Sequence, residues 1–303
     1  ASASSNQQIT CDSTVVALGA AGSSSGPEFI YLWSGQNIVS GQTTTAPKVS
    51  ATGTFTLIVT DESNGCRDSA TTIVTANITR PVVAIAVPLP LTCVRDSILI
   101  NAGASNNGAA FQIGWTTGTG HFITGQNTLT PLVDEPGAYI LTIENTINGC
   151  SSTQTIQVSQ NIAAPGAAIA PVSELHCNRQ EATLSGSSPA AQTGFAWTTA
   201  NGQIIAGASA AVSTIAAPGI YQLLVTDQVN GCTSIAQVTV GEAPAPDFLP
   251  VIWQPDCHVG TGAVDFGPID GGKAPFRYSI NGGQSYDDEA SFETLTPGVY
   301  ELV

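Results

Sequence analysis

The sequence predicts an all-β chain built as tandem β-sandwich domains in a linear rod. Three observations lead there. No segment shows a 3.6-residue apolar stripe of helical length. Short alternating strands separated by turn residues recur at intervals of about 8 to 12 residues, with one tryptophan in each group. The whole pattern then repeats, because Cys11, Cys93, Cys177 and Cys257 follow one another at a nearly constant step of roughly 80 residues. A period of that kind has to be read before any single motif, because it fixes the domain organisation.

Each of the first three copies carries the same landmarks. Trp33, Trp115 and Trp197 follow the opening cysteines of their copies at a nearly constant offset. The copies close with Asn64-Gly65-Cys66, Asn148-Gly149-Cys150 and Asn230-Gly231-Cys232, and Phe55, Tyr139 or Tyr221 stands at the same distance before the closing cysteine each time. In copy three, Glu181–Leu184 and Gly194–Trp197 are predicted strands, and Gln203–Ile205 is the return arm of a hairpin. Ile220–Thr226 alternates, turns through Asn230-Gly231 and returns as Ala236–Val240. Proline-containing joints at Asn77–Pro81, Asn161–Pro165 and Glu242–Pro246 are semi-rigid spacers. The domains are therefore expected at 1–80, 81–162, 163–243 and 244–303, a rod of roughly 120 to 160 Å.

Copy four departs from the pattern. It has Cys257 but no tryptophan at the expected offset, and it carries Gly271–Tyr286 and Phe292–Tyr300 instead. Alignment on Tyr300 puts a closing cysteine beyond Val303 and the last residues inside a penultimate strand. An unpaired long edge is a liability in a folded domain. The expectation is an excerpt of a longer chain, or a strand donated by another.

Composition excludes several function classes. The 303 residues carry a net charge of −15 and only two lysines, Lys48 and Lys273, which removes the footprint needed for nucleic acid or anionic lipid. No apolar run is long enough to span a bilayer. With 42% hydrophobic and 10% charged residues, the chain can bury cores and does not read as disordered.

Two resemblances follow from these residues. The Cys, Trp, Gly-x-Tyr-x-Leu-x-Val-Thr-Asp and Asn-Gly-Cys pattern of copies one to three resembles the tandem Ig-like or PKD-like repeats of giant surface proteins in Bacteroidota. In copy four, Gly271-Gly272-Lys273-Ala274-Pro275-Phe276-Arg277-Tyr278-Ser279-Ile280-Asn281-Gly282-Gly283 and Phe292-Glu293-Thr294-Leu295-Thr296-Pro297-Gly298-Val299-Tyr300 resemble the SprB repeat of gliding adhesins. The resemblance implies export by the type IX pathway, a cell-surface location, a role in adhesion, gliding or an appendage, and no catalytic residues. It also implies O-glycosylation at Asp-Ser motifs, which here are Ser13, Ser69 and Ser97.

The cysteines pose the main structural question. In an Ig-like sandwich the opening cysteine and the closing Asn-Gly-Cys lie at opposite poles, whereas a disulfide needs Cα atoms within about 7 Å. In a head-to-tail array the opening pole of one domain abuts the closing pole of the next. This favours Cys11 with Cys150 and Cys93 with Cys232, two pairs of equal separation along the chain. Cys66, Cys177 and Cys257 would then bond to partners beyond the residues given. Bridges within each copy, and free thiols, remain the alternatives. Any of the bonded arrangements implies an oxidising, extracellular compartment.

The remaining motifs have plain structural explanations. His121, His176 and His258 lack zinc-ligand spacing and are expected in surface loops, with no metal site. Gly114–Gly125 is glycine-rich, but its counterparts after Trp33 and Trp197 mark it as a hairpin, not a phosphate loop. Asp61-Glu62, Asp134-Glu135, Asp227 and Asp287-Asp288-Glu289 would suit calcium bridging loops or simple solvated turns, and no cofactor is otherwise indicated. Trp33, Trp115 and Trp197 are expected in the core, with a carbohydrate-stacking platform as the alternative. Asn77-Ile78-Thr79 forms a glycosylation sequon. No catalytic constellation stands out, so an enzyme is not expected.

The function these features point to is a stiff, disulfide-stabilised spacer in a secreted adhesin or filament. Its partners would be neighbouring domains of the same chain and, laterally, further copies. The alternatives are a module that binds glycans or cell surfaces, and an accessory region of a secreted hydrolase.

Overall fold

The computed structural model describes residues 1–177 and 179–303, and the described residues contain strands and turns but no helix. They fall into two compact units, Ala1–Asn161 and Ile162–Val303. The first unit holds copies one and two, the second copies three and four.

Copies one to three share one plan. In copy one, Phe29–Ser34, Gly53–Asp61 and Arg67–Val74 form an antiparallel sheet in that order, and Lys48–Val49 lies between Val16–Ala17 and Ile38–Ser40 in a smaller sheet. Copy two repeats this with Phe111–Thr117, Gly137–Asn145 and Cys150–Val158. Copy three does so with Thr193–Thr199, Gly219–Asp227 and Thr233–Val240, and its second sheet gains a fourth strand, Ala168–Ile169. Before each opening cysteine the chain pairs in parallel with its own exit: Ile9–Thr10 with Ala76–Asn77, Leu91–Thr92 with Gln160–Asn161, and Leu175 with Glu242.

The central strands show why these residues choose this state. Along Gly53–Asp61, Phe55, Leu57 and Val59 are buried and their neighbours less so, a period of two that matches the pleat. The alternation recurs as Tyr139, Leu141 and Ile143, then as Tyr221, Leu223 and Val225. Each tryptophan sits opposite the middle residue of its set, Trp33 on Leu57, Trp115 on Leu141 and Trp197 on Leu223. Three separate cores result, one per copy and each containing its tryptophan. The indole N–H of each donates to a backbone carbonyl of the following hairpin, that of Thr44, Thr128 or Ala210, at 3.0, 2.8 and 3.0 Å. Large apolar burial is thus combined with a satisfied polar tip.

The second aromatic position locks the hairpin that follows the tryptophan strand. The hydroxyl of Tyr139 donates to the Glu135 carbonyl at 2.7 Å, four residues back, and accepts from the His121 N–H at 3.0 Å. Tyr221 does the same with Ala217 and Gln203, at 2.5 and 3.0 Å. A methyl group on Gly120 would collide with the Tyr139 hydroxyl, and one on Gly202 would collide with that of Tyr221. The glycines of this hairpin make room for a phenol, which is their structural reason for being there.

Copy four keeps only part of the plan. Val251–Trp253, Gly262–Asp265 and Ser291–Leu295 form one sheet, and Asp247–Phe248 pairs with Ile269–Asp270. Phe266 is fully buried among Phe248, Tyr278 and Phe292. Tyr300 donates its hydroxyl to the Thr296 carbonyl at 2.7 Å, the same four-residue step as Tyr139 and Tyr221. Beyond Tyr300, however, the chain makes only isolated pairings, Glu301 with Asn281 and Val303 with Ser279. The long strand suggested by alignment with copies one to three is not formed by these residues.

Replacing Tyr139 by Phe removes a buried hydroxyl with two partners. It should lower stability by about 1–3 kcal/mol, measurable as a shift of the denaturation midpoint with an unchanged slope. The chain should still fold, since copy one uses Phe55 at this place.

Candidate functional site

The site most strongly built by the sequence is the joint between consecutive copies, and it is assembled from two small loops. The first is the opening turn. Thr10 N–H donates to the Ser13 carbonyl at 2.9 Å, Thr92 to Arg95 at 2.9 Å, His176 to Arg179 at 3.1 Å, and Asp256 to Val259 at 2.9 Å. In all four copies the cysteine therefore sits at the tip of a tight hairpin turn. The cysteine is exposed in each case.

The second loop is Asn-Gly-Cys. The glycine N–H reaches four residues back, Gly65 to Asp61, Gly149 to Asn145 and Gly231 to Asp227, at 2.8, 2.7 and 2.8 Å. This closes the chain through a glycine with φ of 73°, 68° and 72° respectively, the left-handed region that favours glycine. The asparagine Oδ1 then accepts the cysteine N–H, at 2.9, 3.0 and 2.8 Å in copies one, two and three. One end of the amide is used to shape the loop. In copies two and three the other end, Nδ2, acts outside the loop, whereas in copy one Asn64 Nδ2 donates to Asp61 of its own loop.

In the first unit the two loops meet. Cys11 of copy one is bonded to Cys150 of copy two, with the Cα atoms 5.0 Å apart and a sequence separation of 139. The Cys11 N–H donates to the Asn148 carbonyl at 3.0 Å. Asn148 Nδ2 donates to Asn77 Oδ1 and to the Thr79 carbonyl, both at 3.0 Å, so it holds the linker between the copies. Asn148 is 1% exposed, and Cys150 is equally buried. Gly149 is pressed so closely against the Asp12 carboxylate that a Cβ there would overlap it. The joint thus combines a covalent bond, three hydrogen bonds and one contact only glycine allows.

The second unit reuses the plug. Asn230 Nδ2 donates to the Ala163 carbonyl at 2.9 Å, the linker position equivalent to Thr79. Cys232 in this unit and Cys93 in the first are each disulfide-bonded. Copy four touches its leading linker by backbone instead, through Gly272 N–H to the Pro244 carbonyl at 2.8 Å. Cys66, Cys177 and Cys257 are exposed free thiols.

The other sequence-derived candidates lie apart from the joint. Trp33, Trp115 and Trp197 are buried and offer no face to a sugar, whereas Trp253 is 53% exposed. Ser13 and Ser69 are exposed, and Ser97 is half-buried with its hydroxyl on Asp96. The acidic loops cap their own turns: Asp61 accepts from Ser63 and Asn64, Asp227 from Val229, and Asp287 from Asp288 and Glu289. The hydroxyl and backbone N–H of Ser63 hold the Asp61 carboxyl below its ordinary range. Among the described residues no group of three or more His, Cys, Asp or Glu is arranged to hold a metal. Sequence reasoning missed the asparagine plug. In the sequence Asn77 reads as the start of a linker and as part of a sequon, and its side chain is also a partner of Asn148.

His121 has an acidic partner, its Nδ1 lying 2.7 Å from Asp134 Oδ1. The hydrogen bond to Asp134, and then the charge of that carboxylate, raise the imidazole above its ordinary value. The protonated form is therefore the stabilising one. Its contribution is full below the ordinary imidazole range and fades as the pH rises through the raised value. An NMR titration should place His121 above pH 6.5, and Asp134→Asn should return it toward that value. At the joint, Asn148→Ala should cost about 1–3 kcal/mol, because it strips donors from a buried contact. Thermal unfolding of the oxidised chain measures this.

No family model matches the chain, and no curated protein matches it. Among solved structures it is similar to the N-terminal eight Ig domains of Down syndrome cell adhesion molecule, at 13% identity and a TM-score of 0.34 over 93% of this chain and 43% of that one. It is also similar to the I67–I69 fragment of the titin I-band, at 10% identity and a TM-score of 0.32 over 75% and 92%. Extracellular domains 3–5 of Drosophila OTK match at 10% identity and a TM-score of 0.28 over 71% and 85%.

Proposed function

We propose that this chain is a segment of a long secreted bacterial surface adhesin or filament, in which stapled sandwich repeats act as a stiff spacer. The observation that carries the proposal is the Cys11–Cys150 bond. It joins two different copies across their linker, a placement that resists separation of domains rather than unfolding of one. Cys93 and Cys232 occupy the equivalent positions of copies two and three, and in this reading they pair with each other. The four domains are 1–80, 81–162, 163–243 and 244–303. The Asn-Gly-Cys pattern and the SprB-like motif of copy four support a Bacteroidota origin, type IX export and a surface role in attachment or gliding. The partners are neighbouring domains of the same chain and further copies packed laterally, and no catalysis is involved.

Interleaved bonds have a mechanical signature. With both bonds closed, the load bypasses most of the chain between Cys11 and Cys232 and runs through only the segment from Cys93 to Cys150. Pulling the oxidised chain from its ends should leave about 550 Å of contour hidden, and reduction should release it. A release of about 480 Å would mean that Cys11–Cys150 is the only staple. Equal lengths before and after reduction would overturn the spacer mechanism.

A second reading rests on Trp253. It lines a cleft of about 220 Å³ with Ile252, Pro255, Leu295, Pro297 and Tyr300. An exposed indole in a cleft that also holds Tyr300 is suited to stacking on a sugar ring. Binding of the segment on a glycan array, lost on Trp253→Ala, would favour this function over the spacer.

A further inference from the structure

The plug that closes the joint between copies one and two is built from a chemically labile pair. In an Asn-Gly sequence no Cβ hinders the glycine nitrogen, so it can attack the side-chain amide carbon of the asparagine before it. At this joint neither residue can be exchanged. Gly149 has a φ of 68° and is pressed against the Asp12 carboxylate, and both ends of the Asn148 amide are in use. Copy two also contains the same pair in the open. Asn107 and Gly108 are exposed, and a Cβ placed on Gly108 would meet nothing within 4 Å.

In the closed joint the groups that would react are committed elsewhere. The nucleophile, the Gly149 N–H, donates to the Asn145 carbonyl at 2.7 Å. The amide under attack accepts the Cys150 N–H on Oδ1 and donates from Nδ2 to Asn77 Oδ1 and the Thr79 carbonyl, all at 3.0 Å. The Cys11 N–H holds the main-chain carbonyl of Asn148 at 3.0 Å, and the asparagine is buried away from water. We infer that Asn148-Gly149 is a modification site gated by the Cys11–Cys150 joint, kept as an amide while the joint is closed and converted to aspartate or isoaspartate once it opens. The restraints from Cys11, Asn77 and Thr79 all come from outside copy two, so parting the copies removes them together. The contact of Asp12 with Gly149 is lost in the same event.

The chemistry needs only water. The Gly149 nitrogen bonds to Asn148 Cγ, the Cγ–Nδ2 bond breaks, and ammonia leaves carrying the proton that the glycine nitrogen gives up. Water then adds to either carbonyl of the cyclic imide, so that one amide and one water become one acid and one ammonia. The product no longer fits the joint. A carboxylate has no N–H to give the Thr79 carbonyl, and it sets a second negative charge in the joint that holds Asp12. Isoaspartate also lengthens the main chain inside a tight turn. Opening thereby becomes one-way. This inference rests on the joint geometry and is independent of any tensile role.

The test ages the full oxidised chain and its Cys11→Ser variant in mildly alkaline buffer and follows acid formation at each Asn-Gly pair by peptide mass spectrometry. In the oxidised chain Asn148 should convert about tenfold or more slowly than Asn107. Cys11→Ser should speed conversion at Asn148 about tenfold and leave Asn107 and Asn230 within about twofold. An Asn148 rate equal to that of Asn107 in the oxidised chain, or one unchanged by Cys11→Ser, would overturn the inference. Amide hydrogen exchange along Gly137–Asn145 shows whether copy two stays folded in the variant. If it unfolds, Asn77→Ala decides, because it keeps the disulfide and removes one acceptor of Asn148 Nδ2. A rise of about threefold or more at Asn148 supports the gate, and an unchanged rate overturns it. Asn148→Asp, which imitates the product, should form the Cys11–Cys150 bond about tenfold more slowly on oxidative refolding, and a rate equal to wild type would overturn the one-way step.

Discussion

Everything distinctive about this molecule depends on one amide group used at both ends. Asn148 shapes its own loop with Oδ1 and holds the preceding linker with Nδ2, so the geometry of a turn inside one copy determines where the neighbouring copy begins. The disulfide alone would permit rotation about its bonds. With the amide fixed to Asn77 and Thr79, and Gly149 seated on Asp12, that freedom is largely removed. Burial of the asparagine matters as much as its contacts, since a hydrogen bond in a dry joint is harder to exchange for water.

The size of the copies explains why such a joint is worth building. A sandwich of about 80 residues buries a modest core, and its stability margin is correspondingly small. A bond that closes a loop with a sequence separation of 139 restricts the unfolded chain by about 5 kcal/mol on the loop-entropy account. Placed within one copy, it would stabilise that copy only. Placed across two, it couples their unfolding, so that neither core opens freely while the other is intact.

Much of this was legible in the sequence because it is periodic. The tryptophan spacing, the alternating central strands and the Asn-Gly turns each express a backbone requirement that recurs at a fixed distance. The cores around Trp33, Trp115 and Trp197 follow from it directly. The asparagine plug was not legible, since an Asn-Gly pair reads as a turn and its second hydrogen-bonding end points at a residue in the preceding copy. The glycines at 120 and 202 could be read as hairpin residues, but the reason each has to be glycine could not. The position of the phenol they accommodate supplies that reason. Copy four was least readable, because its glycines and prolines replace the repeated landmarks and its pairings are short.

The wide separation of Cys11 and Cys150 also imposes an order of events. Cys11 emerges first from any N-to-C process of synthesis or export, and Cys66 follows it well before Cys150 does. An oxidising compartment would therefore meet Cys11 and Cys66 together, with the correct partner still absent. What guards against the wrong bond is the folding of copy one itself, which places its opening turn and its closing hairpin at different poles before the next copy arrives. For Cys11 to remain available to Cys150, copy one has to fold before its two cysteines are oxidised together.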